Sequence, residues 1–180
     1  MEIIDDFLPP RVFEEVQRAL MGKQFSWYFI PYVNHDNDHE RNNLKWFEFC
    51  HLLWDPDGGM CSESAQGIID IFKDRLNAYM WLRIKANLTT NTIENEDTDF
   101  HTDFTHPMPV DKITTAIYYV NTNNGYTEFL DGRKVKSVAN RLCKFPAHMK
   151  HQGASCTDAK SRVVINFNYF DTLGQPSLRH

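Results

Sequence analysis

His101 and Asp103 stand two residues apart, and His151 and Arg162 follow far downstream. On an extended segment, side chains at i and i+2 leave the same face, so this imidazole and this carboxylate can share one divalent ion. A second imidazole completes a set of two neutral nitrogens and one carboxylate on one side of a metal. The opposite positions stay open to water, substrate or oxygen, which is the donor arrangement of non-haem Fe(II) chemistry. Arg162 adds a planar cation suited to holding a ligand carboxylate through two parallel hydrogen bonds. A His-x-Asp pair alone also fits a solvated turn, so the segments that position the four residues decide between the two.

The clearest of these is the run 161–170. Val163, Ile165, Phe167 and Tyr169 share one face, and Arg162, Val164, Asn166 and Asn168 share the other. The second face is either wet or, in a small barrel, turned into a cavity; alternation alone leaves both open. His151 lies in the segment just before this strand. Two further histidines compete as ligands: His106 sits beside Asp103, and His148 sits beside His151. His148 follows Pro146 in what reads as a turn, and both competitors read better as polar residues at a pocket mouth. His35 and His39, among Asn34, Asn42 and Asn43, belong to a polar, aperiodic stretch that reads as a loop, a candidate lid.

The run from His101 to Phe170 resembles the Fe(II)/2-oxoglutarate-dependent dioxygenase superfamily, and within it the prolyl-4-hydroxylase-like branch. Its pattern is His-x-Asp, a long interval, His, then Arg about ten residues on; here Arg162 follows His151 by 11 residues. Ile113-Thr-Thr-Ala-Ile-Tyr-Tyr-Val-Asn121 is similar to the family strand that carries a co-substrate-binding tyrosine. Asn124-Gly-Tyr-Thr-Glu-Phe129 resembles the family's Gly-Gly-x-Thr-x-Phe turn and strand, with one of the two glycines replaced. The wording of Lys85-Ala-Asn-Leu88 and Asn121-Thr-Asn-Asn-Gly125 is also similar to phage and marine-microbial members.

The resemblance implies a set of roles. His101, Asp103 and His151 would ligate Fe(II), Arg162 would pair with the distal carboxylate of 2-oxoglutarate, and Tyr119 would donate a hydrogen bond to the same group. Thr115, on the face of Tyr119, and Asn166, on the face of Arg162, would line the pocket. No tyrosine stands where some relatives contact the 1-carboxylate, so Asn87 or Asn91 is the polar candidate there. The implied reaction consumes O2 and 2-oxoglutarate, releases succinate and CO2, and hydroxylates a C–H bond on a small-molecule or peptide substrate, such as a prolyl side chain. Two other classes remain: a cupin-like metal enzyme that does not use 2-oxoglutarate, and a non-catalytic jelly-roll binding module.

At 180 residues and 42% hydrophobic, with no Pro/Gly/Ser linker, the chain is expected to form one domain over 1–180. A net charge of −5 offers no broad footprint for nucleic acid. Lys134, Lys136, Arg141, Lys144 and Lys150 read as a solvated strand face. The four cysteines lack metal or disulfide spacing, the start lacks a basic leader, and no apolar run is long enough to span a bilayer. These features predict a cytoplasmic protein with free thiols and no membrane partner, and they leave oligomeric state unknown.

The elements around the site follow from periodicity. Pro9 and Pro10 suit a first helical turn, followed by a stripe of Val12, Phe13, Val16, Leu20 and Met21 that ends near Gly22. Ser62 resembles a cap for a second helix whose stripe runs Ala65, Ile68, Ile69, Phe72, Leu76, Tyr79 and Met80. Strands are predicted over 82–89, 113–120, 126–130, 135–138, 142–145 and 162–170. Trp27, Tyr28, Phe29, Tyr32, Trp46 and Phe47 are core residues or an aromatic entrance. The expected fold is α+β, mainly β: a double-stranded β-helix, the cupin-type jelly roll, over 82–180, with 1–81 as largely helical support and loop.

Overall fold

The computed structural model describes residues 1–32, 47–63, 65–103 and 112–171. In chain order its strands are β1 (Glu2–Ile4), β2 (Tyr28–Ile30), β3 (Glu48–Asp55), β4 (Gly59–Met60), β5 (Ala78–Thr90), β6 (Ile113–Tyr119), β7 (Tyr126–Phe129), β8 (Lys134–Lys136), β9 (Arg141–Pro146), β10 (His151–Gly153) and β11 (Ser161–Asp171). Among the described residues the helices are α1 (Pro10–Met21) and α2 (Ala65–Leu76). None is long and apolar enough to cross a membrane.

β11 is the middle of an eight-stranded antiparallel sheet ordered β1-β9-β6-β11-β5-β3-β2, with β4 paired to β3; β10-β7-β8 form a second, three-stranded sheet. Two facing antiparallel sheets of this kind make the predicted double-stranded β-helix. The register explains why both faces of β11 are buried. Val163, Ile165, Phe167 and Tyr169 join Tyr118, Phe72, Leu20 and Val16 in the core under the helices. The opposite face puts Val164 with Ile117, Tyr119, Phe129 and Phe145 between the two sheets. The polar residues Arg162, Asn166 and Asn168 are buried on that inner face, so the cavity alternative is the one realised.

Phe72 ties α2 to the sheet, with its ring centroid 4.9 Å from Tyr118 and 4.6 Å from Phe167. Burying an aromatic side chain of this size stabilises by roughly 1.5–3 kcal/mol. α1 begins with Pro10 in its first turn and buries Val16 and Leu20, as its stripe predicts. Asn140, at φ 64°, anchors the segment before α1 by accepting from Leu8 N at 2.9 Å and donating to Leu8 O at 2.8 Å.

Three expectations need correction. The second helix stops at Leu76, not Met80: Asn77 takes a left-handed conformation (φ 51°), which ends the helix. Tyr79 and Met80 then lie exposed on β5. Residues 1–81 are more than helical support, since β1 to β4 all belong to the large sheet. β10 was not expected as a strand. Of the aromatic group, Tyr28 and Phe29 are exposed on the edge strand β2, while Trp27 packs against the helix-side core; Trp46 lies outside the described residues, as do the His35 to Asn43 stretch and His106.

Candidate metal centre and anion pocket

β10 is short, but both its edges are used. One pairs with β7; the other carries bridges that set Asp97 opposite Ala154 and His101 opposite His151. That second edge brings the two histidines together. Their ring centroids are 4.8 Å apart, and potential ligand atoms of His101, Asp103 and His151 all lie within 4.8 Å of one another. His148 is exposed in the turn after β9.

The imidazoles are oriented by the backbone. His101 Nδ1 lies 3.0 Å from Asp99 O, and His151 Nδ1 lies 3.1 Å from Met149 O. A carbonyl only accepts, so in a neutral ring Nδ1 carries the proton and Nε2 keeps the lone pair; a metal-binding histidine needs that tautomer. Burial, then the neighbouring His151, holds the His101 pKa below its usual value, which favours the neutral form.

Asp103 is clasped by three strands. Its Oδ1 accepts from Arg83 Nη2 at 2.9 Å and Asn166 Nδ2 at 3.0 Å; Oδ2 accepts from Thr115 Oγ1 at 3.0 Å and Asn168 Nδ2 at 2.8 Å. Burial alone would push this carboxyl up, but Arg83, the two imidazoles and Asn168 outweigh it and bring the pKa down to about 2. The group is therefore a fixed anion beside the His101 and His151 rings. Four donors fill the acceptor directions of a carboxylate, so a metal ion would take the place of one of them. With that exchange, the donor set and its tautomers fit Fe(II).

Arg162 lies at the other end of the inner face. Its Nε donates to Ser137 Oγ at 3.0 Å and its Nη2 to Thr127 Oγ1 at 3.1 Å, while the guanidinium carbon sits 5.7 Å from the Tyr119 ring centroid. Tyr119 donates to the same Thr127 oxygen at 2.8 Å. With both of its acceptor positions used, the Thr127 hydroxyl keeps its own hydrogen for another partner. Burial pulls the Arg162 pKa down, and no carboxylate among the described residues forms an ion pair with it. A buried guanidinium without a counter-charge is costly, so the pocket favours an anion. Gly125 makes the close packing possible: a Cβ there would meet Arg162 Cδ at 2.8 Å and Ala154 O at 2.9 Å.

The predicted residues thus divide by place. His101, Asp103 and His151 meet; Thr115 and Asn166 touch Asp103 directly; Arg162 and Tyr119 meet at Thr127. Asn87 pairs with Val164 on the inner face, and its Oδ1 is buried without a hydrogen-bond partner among the described residues. Asn91 is exposed and donates to Ala159 O at 2.9 Å, so the 1-carboxylate alternative does not fall to it. Sequence reasoning missed Arg83, Thr127, Ser137 and Asn168. Arg83 shared a signal with Arg162: Arg83, Lys85, Asn87 and Thr89 alternate along β5 as the polar residues of β11 do.

No family model and no curated protein sequence matches the chain. Solved structures do match. A prolyl hydroxylase from Trichoplax adhaerens, in complex with a hypoxia inducible factor peptide fragment, aligns at 16% identity and TM-score 0.55 over 99% of this chain and 87% of its own. The non-heme alpha ketoglutarate dependent carbocyclase SnoK from nogalamycin biosynthesis aligns at 10% identity and TM-score 0.65, over 94% and 78%. The viral collagen prolyl hydroxylase from Paramecium Bursaria Chlorella virus-1, as a 2OG complex, aligns at 14% and 0.51, over 95% of each chain. At these identities the likeness is one of fold: this chain has the fold shared by those prolyl hydroxylases and the alpha ketoglutarate dependent carbocyclase.

Proposed function

We propose that this chain is an Fe(II)- and 2-oxoglutarate-dependent oxygenase that hydroxylates a C–H bond of a small-molecule or peptide substrate. The observation that carries the reading is the pairing of two sites on one inner face: a His-Asp-His group with ligand atoms within 4.8 Å, and a buried guanidinium with no carboxylate partner among the described residues. A cupin-like metal site has no need of the second. The prolyl hydroxylase and carbocyclase folds support the same class.

His101, Asp103 and His151 would hold the metal from one side, with Asn168, Thr115 and Asn166 fixing the carboxylate. Arg162 would bind the distal carboxylate of 2-oxoglutarate, helped by Thr127 and Tyr119, and Asn87 offers an amide toward the other end. When bound, iron and 2-oxoglutarate supply oxidative decarboxylation with O2, yielding succinate and CO2 and delivering an oxygen atom to the substrate. The chain's own contribution is to fix both ends of the co-substrate and keep the site walled by apolar residues. The test is succinate formation with Fe(II) and O2. Release that requires added 2-oxoglutarate supports the reading; metal binding with no 2-oxoglutarate binding refutes it.

A further inference from the structure

The inner face holds a second pair of charges that the metal and 2-oxoglutarate sites do not use. Lys85 Nζ lies 2.5 Å from Glu48 Oε1, with the Glu48 side chain 7% and the Lys85 side chain 23% exposed. A buried ion pair commonly costs as much in desolvation as it returns. Nor is it needed to join its strands, because β3 and β5 already share a ladder from Phe49–Leu88 to Leu52–Lys85. Burial pushes the Glu48 carboxyl above its usual range even with Lys85 beside it.

The pair borders a row of acceptors lacking donors. Lys85 lies opposite Asn166, and Asn87 lies opposite Cys50 on one side and Val164 on the other. Asn87 is therefore a diagonal neighbour of Asn166 and, by continuation of the ladder, of Glu48. Asn166 must turn Nδ2 to Asp103, since a carboxylate only accepts, so the direction of its Oδ1 is set. Both Asn166 Oδ1 and Asn87 Oδ1 are buried without a hydrogen-bond partner among the described residues. The face thus presents two amide oxygens without N–H donors beside a carboxylate and an ammonium that have only each other as ionic partners among the described residues.

We propose that this face is the substrate site and takes a free α-amino acid, its ammonium on Glu48 and Asn87 Oδ1, its carboxylate on Lys85, and its side chain running past Asn166 to the metal. The inference rests on the oxygenase reading for what happens to the side chain, but not for the binding. A zwitterion inserted between Glu48 and Lys85 keeps charges alternating, so neither buried group is left unpaired. A residue inside a peptide has neither charge. Diagonal neighbours on a sheet stand about 7–8 Å apart, which favours side chains longer than that of alanine.

The experiment is calorimetric titration of the twenty common amino acids into the protein loaded with Zn(II) and 2-oxoglutarate, and in parallel into metal-free protein. Binders are retested as N-acetyl and methyl-ester forms, and against the paired variant Glu48→Gln/Lys85→Gln. We expect a longer free amino acid to bind, each cap to weaken it roughly 10- to 100-fold, and the paired variant to weaken it similarly while 2-oxoglutarate affinity holds. No binding by any free amino acid, or equal binding of the capped forms, overturns the proposal; should the paired variant fail to fold, the capped ligands decide. Zn(II) and 2-oxoglutarate affinities come from the same series. Amino-acid binding without metal binding would sink the oxygenase reading alone, and the reverse would sink this inference alone.

Discussion

His101 and His151 form a hydrogen-bonded antiparallel pair: each amide donates to the other's carbonyl at 3.0 Å. Residues directly opposite in such a ladder project from the same side. Backbone pairing therefore sets the spacing of the two imidazoles, and the donor group is assembled before any ion arrives.

A metal ion at a hundred times its dissociation constant should stabilise the folded chain by about 2.7 kcal/mol. For a domain of this size, that raises Tm by roughly 5–10 °C. His151→Ala should abolish the shift in a thermal melt with Fe(II) under anaerobic conditions, and His148→Ala should leave it. The opposite result would transfer the ligand role to His148.

Arg162→Ala should weaken 2-oxoglutarate binding by roughly 100-fold or more while Fe(II) affinity stays within a few-fold, because charge-assisted bonds concentrate affinity in this one side chain. Titration of the co-substrate into metal-loaded protein measures it. Unchanged affinity would remove Arg162 from the site.

Thr127→Val takes the shared acceptor from both Arg162 and Tyr119. Leaving buried donors unsatisfied costs about 1–3 kcal/mol. Urea unfolding should show that loss, accompanied by weaker 2-oxoglutarate binding; a variant as stable as the parent would mean that water replaces the hydroxyl.

Gly125→Ala should destabilise by about 1–3 kcal/mol, since its new methyl would press on the Arg162 stem and on the fixed carbonyl of Ala154. The expected signature is a lowered Tm together with loosened 2-oxoglutarate binding, the second reporting a displaced guanidinium.

Asp103 titrates at about 2 when folded, against 3.8 for the free group. The unfolded chain takes up the proton first, so this carboxylate's contribution of about 2 kcal/mol is fully present above about pH 5 and is lost as pH falls toward 2. His101, held below its usual value, loses stability in a separate window: as pH falls below 6.5, the unfolded imidazole is protonated while the folded one resists. Stability of the parent measured against Asp103→Asn should show a constant gap above pH 5 that narrows between pH 4 and 2. A gap that does not change with pH would mean Asp103 is not held as an anion.

His-x-Asp, the later His and the Arg on an alternating strand marked the candidate ligand set and the candidate anion-binding cation, and the resemblance they carry implied the β-helix fold; residue type and two-residue periodicity are local properties. Which face of β11 is wet is not local. The small sheet β10-β7-β8 lies over the polar face, and only that layer turns Arg162, Asn166 and Asn168 inward. β3 escaped notice because Glu48-Phe-Cys-His-Leu-Leu-Trp-Asp55 does not alternate, and its buried Glu48 makes sense only beside Lys85, 37 positions away. The clasp on Asp103 joins residues 83, 115, 166 and 168, and Thr127 serves Arg162 and Tyr119 from a third strand. Such contacts depend on strand register, which long-range pairing sets. Chemistry was therefore written in the residues, while partners and pocket came from how distant strands align.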